Sequence, residues 1–195
     1  MTSRDQILRS IRRNLPQATE LPDHSGPWTD YADLTQQFTE VLESVGGTCH
    51  VVQSVDQIAQ VLAPLTGPEK VVVSQVPGLF PDGLSLETVA DPHDLADVEL
   101  AVMPGRLAVA ENAGIWVDNA AVRHRVIYFL CQHLALVVPR RELVPHLAAA
   151  YEKIDPAGQS FGAFISGPSK TADIEQSLVK GAHGARTLHV FLTDW

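Results

Sequence analysis

Lys70-Val71-Val72-Val73-Ser74 is the stretch that decides the fold. Three β-branched residues in a row make the segment apolar on both sides, as in a strand covered on both faces of a parallel sheet. Upstream, Ser54 is placed to cap a helix whose apolar face is Val55, Ile58, Val61 and Leu62. Before it, Thr48 to Gln53 reads as a strand. Leu34, Phe38, Val41, Leu42 and Val45 mark a helix stopped by Gly46-Gly47. Helix, strand, helix and strand with short joints form an α/β pattern. The expected fold is a single α/β domain with a central, mostly parallel sheet flanked by helices.

Towards the N-terminus, Ser3 to Leu15 predicts an amphipathic helix capped by Thr2 or Ser3. Ile7, Leu8, Ile11 and Leu15 share one face, and Arg4, Arg9, Arg12 and Arg13 fill the other. The basic face suits either a docking partner or plain solvation. Pro16, Pro22, Gly26 and Pro27 break the chain that follows. The expected organisation is an arm at 1–15, a Pro-rich linker at 16–28 and an α/β domain at 29–195.

Towards the C-terminus, 75–91 reads as a loop ending in a short strand at Leu86 to Val89, with a helical turn at Leu95 to Glu99. Strands are expected at Leu100 to Met103, Leu107 to Ala110, Ile115 to Val117, Leu134 to Val138, Phe161 to Ile165 and Leu188 to Leu192. Val126 to Leu130 is also strand-like, and Leu143 to Ile154 reads as a helix.

Composition narrows the function classes. Hydrophobic residues make up 45% and charged residues 19% of 195, enough for a sizeable core and against disorder. A net charge of −9 argues against a nucleic-acid surface. Cys49 and Cys131 belong to no Cys-x-x-Cys, which excludes a thiolate zinc site or Fe–S cluster on the usual spacing. No run approaches the roughly 20 apolar residues of a membrane span, and no signal peptide opens the chain. The expectation is a cytoplasmic chain with two reduced thiols.

Two places concentrate chemistry. The first is Ser166-Gly167-Pro168-Ser169-Lys170-Thr171-Ala172-Asp173-Ile174-Glu175, followed by Lys180-Gly181-Ala182-His183-Gly184. Gly167-Pro168 ends the preceding strand and frees main-chain amides. Ser169, Thr171 and Lys170 then supply two hydroxyls and a cation for a small carboxylate or phosphate-bearing ligand. Asp173 and Glu175 suit a metal or a base, and His183 lies between Gly181 and Gly184, where backbone approaches a ligand closely. The plainer alternative is a turn and helix start capped by Ser169 or Thr171. The second place is Ala110-Glu111-Asn112-Ala113-Gly114, a carboxylate in a turn between buried strands. Such a group is either used or paired, with Arg123 or Arg125 as candidate bases. No Walker loop, Gly-x-Gly-x-x-Gly or zinc-type histidine spacing is present; His124, His133 and His189 stand apart.

The run 166–175, with Lys180 to Gly184 and Thr187-Leu188-His189-Val190-Phe191-Leu192, resembles the LUD-domain family in its lactate-utilisation C (LutC/YkgG-like) type. The resemblance covers nearly the whole chain, with its most specific part at the C-terminal motif. It implies a NagB/RpiA/CoA-transferase-like fold. It also implies a component of a multi-protein system that oxidises L-lactate to pyruvate, with Fe–S clusters on separate partner proteins and no cofactor on this chain. Two other readings stay open. One is a stand-alone CoA-transferase- or sugar-phosphate-isomerase-like enzyme using Glu111 as its catalytic nucleophile. There Glu111-Asn112 looks like the start of the Glu-Asn-Gly turn of CoA transferases, with Ala113 intervening before Gly114. The other is a small-anion-binding regulatory subunit.

Overall fold

The computed structural model describes residues 2–17, 19–20, 22–23, 26–156, 158, 160–170 and 184–195. Its centre is a five-stranded sheet of β1 (Thr48–Val52), β2 (Val71–Ser74), β3 (Val98–Pro104), β6 (His133–Pro139) and β9 (Thr187–Thr193). The spatial order is β1-β9-β6-β3-β2, and every pairing is parallel. Alternation along β6 sends Leu134, Leu136 and Val138 into one core, and Ala135 and Val137 into the other. Helix α2 (Leu34–Ser44) covers the first face with Phe38 and Leu42, and α3 (Val55–Leu62) covers the second with Ile58 and Leu62. Burying each such side chain contributes roughly 1.5–3 kcal/mol. Helix α3 begins at the Ser54 cap that the sequence places, and α2 at Asp33, which the sequence reading did not single out. Asp33 Oδ1 accepts from the amides of Thr35 and Gln36 at 2.9 and 3.0 Å, and Ser54 Oγ from that of Gln57 at 3.3 Å.

The structure adds a second sheet. Its strands β4 (Leu107–Val109), β5 (Gly114–Asp118), β7 (Leu143–Val144) and β8 (Gly162–Ile165) lie in the order β7-β4-β5-β8. The β4–β5 and β5–β8 pairs are antiparallel and β4–β7 is parallel. Ala108, Ile115 and Val117 of this sheet join the same core as α2. Adjacent residues stitch the two sheets together. The Gly105 amide donates to Val137 in the parallel sheet at 2.8 Å, and the Arg106 amide to Trp116 in the mixed one at 2.9 Å. A Cβ on Gly105 would stand 2.6 Å from Ile115 and 2.7 Å from Val138, so only glycine lets the sheets close here.

Three expected elements change type. Val126 to Leu130 forms a single helical turn, α4 (Ile127–Leu130), with the Leu130 amide bonded to the Val126 carbonyl at 2.9 Å. A short apolar run satisfies either period, and burial of adjacent Ile127 and Tyr128 selects the turn. The helix expected over 143–154 is split by Pro145, which disfavours helix at the residue before it. β7 precedes the break and α5 (Leu147–Lys153) follows it, capped by His146 Nδ1 accepting from the Ala149 amide at 3.1 Å. The segment at Leu86 to Val89 is a 3₁₀ turn (Leu86–Thr88) instead of a strand, and the turn before β3 falls at Pro92–Leu95.

Helix α1 (Ser3–Arg13) opens with a Thr2–Asp5 capping box and buries none of its residues. Ile7 and Ile11 are 57% and 52% exposed. Among the described residues no helix is long and apolar enough to cross a membrane.

Candidate functional site

The loop after β8 and the turn after β4 meet. Ile115 pairs with Ile165 across β5 and β8, which brings the two connections to one end of the mixed sheet. There the Ser166 hydroxyl donates to the Asn112 carbonyl at 2.7 Å. Gly167 has φ +75° and faces the Val45 carbonyl, and the Ser169 amide donates to the Ala185 carbonyl at 2.8 Å. These contacts set the loop beside the starts of β1 and β9, the amino edge of the parallel sheet. The sequence suggests a strand's carboxyl end; β8 does run into this loop, but it belongs to the mixed sheet. Lys170 is exposed, Ser169 half-buried, and Gly184 packs against the Ser169 side chain. Thr171, Asp173, Glu175, Gly181 and His183 lie outside the described residues.

Glu111 already has a structural task. Its Oε2 accepts from the Leu147 amide at 3.0 Å, placing a carboxylate at the first turn of α5. Arg123 donates to the Glu87 carbonyl at 2.8 Å, and Arg125 lies over the Phe161 ring, 5.5 Å from its centroid. Ala113 takes φ +53°, the left-handed turn that the Asn112 side chain closes by accepting from the Gly114 amide at 2.9 Å.

A small cavity of about 210 Å³ lies behind the loop, between Gly167, Ser169, Gly184 and Tyr128. Burial, with the charge of Asp118 second, raises the Tyr128 phenol, so it keeps its proton. Its hydroxyl has no hydrogen-bond partner among the described residues.

The larger cavity, about 690 Å³, opens at the other edge, where β2, β3, β6 and β9 end. Arg106, Asp118, Arg141, Glu142, Lys153 and Trp195 give it its chemistry. Asp118 and Thr193, 5% and 2% exposed, are the buried polar side chains among the described residues, and both line it. Its ion pairs are loose: Arg106–Asp118 at 3.6 Å, Arg141–Glu142 at 3.7 Å and Lys153–Glu142 at 3.6 Å. All three exceed hydrogen-bond length, whereas the neighbouring Arg140–Asp194 pair closes to 2.6 Å. Sequence reasoning missed this cleft. A signal exists in Gly105-Arg106 and Arg140-Arg141-Glu142, polar residues directly after the buried strands β3 and β6.

On the α3 side of the parallel sheet, His50 Nε2 and His189 Nδ1 approach to 3.2 Å. Burial first, then His50 and His133, lowers His189 to about 4, so the pair is neutral near pH 7.

A parallel sheet covered on both faces, with a polar cleft at its carboxyl edge, defines an α/β architecture. Residues 79–193 match the model of the LUD domain, and the chain belongs to that family. It is 28% identical to lactate utilization protein C of Geobacillus thermodenitrificans, across 98% of this chain and 97% of that protein. It is also 28% identical to the uncharacterized protein YkgG of Escherichia coli, over 49% of this chain and 45% of that one. The crystal structure of a DUF162 family protein from Deinococcus radiodurans superposes with a TM-score of 0.59 at 18% identity. That alignment covers 82% of this chain and 96% of the other, and it speaks for the fold.

Proposed function

We propose that this chain is a component of an L-lactate utilisation system, serving the oxidation of L-lactate to pyruvate beside separate Fe–S partner proteins. The observation that carries the reading is the end-to-end similarity to a protein named lactate utilization protein C. Oxidising a hydroxyl-bearing carbon to a ketone releases an electron pair, which needs a redox centre. This chain offers few soft ligands for one. Its two cysteines lie apart, and burial pushes the Cys131 thiol up to about 12, so it holds its proton and is a poor metal ligand. The proposal assigns electron transfer to the partners. In this reading the loop through Gly167, Ser169 and Lys170 is an anion contact at the amino edge of the sheet. The polar cleft remains free for a ligand of its own.

The test is genetic and biochemical together. Deleting the gene should abolish growth on L-lactate while leaving growth on pyruvate intact, and the chain supplied in trans should restore it. Tagged chain should co-purify with iron-containing, cysteine-rich proteins from lactate-grown cells. Unimpaired growth of the deletion strain on L-lactate would end the proposal.

A further inference from the structure

We infer that the carboxyl-edge cleft is a binding site for a 2-hydroxycarboxylate, held by Arg106 and Asp118. The inference deepens the proposed role in lactate utilisation and rests on it for the choice of L-lactate as probe. The geometry of the cleft is independent of that role.

Four parallel strands deliver their carboxyl ends to this cavity, the edge at which open α/β sheets take ligands. Its volume of about 690 Å³ falls within the range of about 300–1,000 Å³ typical of small-molecule sites. A cavity this size exceeds a three-carbon acid several times over, so the ligand class follows from the polar corner.

That corner holds a donor and an acceptor side by side. Arg106 enters through the β3–β4 crossing, its main chain fixed by the amide bond to Trp116 at 2.9 Å. Gly105 before it has no room for a side chain, so the crossing is closely packed. The guanidinium stops 3.6 Å from Asp118, too far for a hydrogen bond, which leaves its fork for a carboxylate. Asp118 is held from behind. Its Oδ1 accepts from the Ala120 amide at 2.9 Å and its Oδ2 turns towards Arg106. The second carboxylate oxygen, with only the loose ion pair to Arg106 beside it, can accept from a donor that enters the cleft. A ligand hydroxyl on the carbon beside a carboxylate meets both needs at once: carboxylate on Arg106, hydroxyl proton on Asp118. A 2-oxo acid presents no such proton, and its carbonyl would face a carboxylate. The site therefore discriminates the reduced acid from the oxidised one. Arg141 and Lys153, loosely paired through Glu142, are further cations lining the cleft, beside the carboxylates of Glu142 and Asp155.

Isothermal calorimetry on the full chain decides the matter, with L-lactate and pyruvate as probes. Wild type should bind L-lactate more tightly than pyruvate, by about fivefold or more. Arg106→Gln, an exposed change that spares the core, should weaken L-lactate by about tenfold. Asp118→Asn should erase the preference between the two acids. Where that buried change unfolds the chain by circular dichroism, Arg106→Gln alone carries the test. Arg12→Gln on the exposed first helix controls for loss of one positive charge and should bind as wild type. Equal affinity of L-lactate for wild type and Arg106→Gln, equal affinity of the two acids for wild type, or no heat with L-lactate overturns the inference. The role and the site fail separately. Complemented growth without lactate binding removes the site alone; lactate binding without a growth defect on deletion removes the role alone.

Discussion

The hydroxyl of Ser166 donates to the carbonyl of Asn112 at 2.7 Å, joining residues 54 apart in sequence. Through that bond the turn carrying Glu111 and the loop carrying Ser169 and Lys170 share one end of the mixed sheet. Strand β5, Gly114–Asp118, runs from this end to the carboxyl-edge cleft, which Asp118 lines.

Gly167 fixes the loop's path. Its φ of +75° is disfavoured for L side chains, and a Cβ there would lie 2.7 Å from the Val45 carbonyl. Gly167→Ala should destabilise the fold by about 2 kcal/mol or more, combining left-handed strain with the clash. Urea denaturation reads this directly, and an unchanged midpoint would show the loop to be slack.

Glu111 tests the choice between nucleophile and helix cap. Its carboxylate accepts from the Leu147 amide, a partly exposed bond worth about 0.5–1 kcal/mol. Glu111→Gln keeps an acceptor oxygen and should cost less than about 1 kcal/mol while supporting growth on L-lactate. Loss of growth with a folded variant would restore the covalent reading.

Lys170 is the cation that the described part of the motif offers to an anion. Removing a charge-assisted bond should weaken inorganic phosphate binding by about tenfold in Lys170→Ala, measured by calorimetry. A solvated lysine with no ligand would leave the titration unaltered.

His189 gives the fold a pH dependence of known sign. Its folded value of about 4 lies below the 6.5 of a free imidazole, so the unfolded chain takes the proton first. The stability it contributes is complete above about pH 6.5 and is lost as pH falls towards 4. The whole shift corresponds to about 3 kcal/mol, which solvent around a half-exposed ring reduces to about 1 kcal/mol. His50 and His133 are lowered by burial too, with Glu99 working against this at His133 and Lys70 and Arg186 reinforcing it. Comparing wild type with His189→Gln by denaturation at about pH 7.5 and about pH 4.5 isolates the effect, because the variant should lose less on acidification.

How far the sequence reveals this structure depends on the range over which each signal acts. Val71 to Val73 and Leu134 to Val138 declare buried parallel strands because every residue in them is apolar, a property that needs no neighbour to interpret. Ser54 marks a helix start through a bond spanning three residues. Val126 to Leu130 misleads because a short apolar run suits either period, and its partners lie elsewhere in the chain. Pro145 is visible in sequence, and its break outweighs the helical pattern of Leu143 to Ile154. The second sheet escapes notice because β7 and β8 are short and reach the β4–β5 hairpin only across long connections. The cleft escapes for the same reason. Arg106, Asp118 and Arg141 come from three strand ends, and nothing near Asp118 in sequence announces its burial.

The exposed first helix has a further consequence. Four arginines against one aspartate give residues 1–15 a charge of +3, which leaves −12 on the remainder of the chain. The expected arrangement is two unequal and oppositely charged ends joined by a spacer with three prolines. Attraction between the ends reaches about 30 Å in 0.01 M salt and only about 8 Å at 0.15 M. On that arrangement its outline in solution should depend on ionic strength, drawn in when salt is scarce and extended when salt is plentiful. Small-angle scattering at those two concentrations should record a radius of gyration that grows with salt, and a constant radius would place the helix against the body by other means.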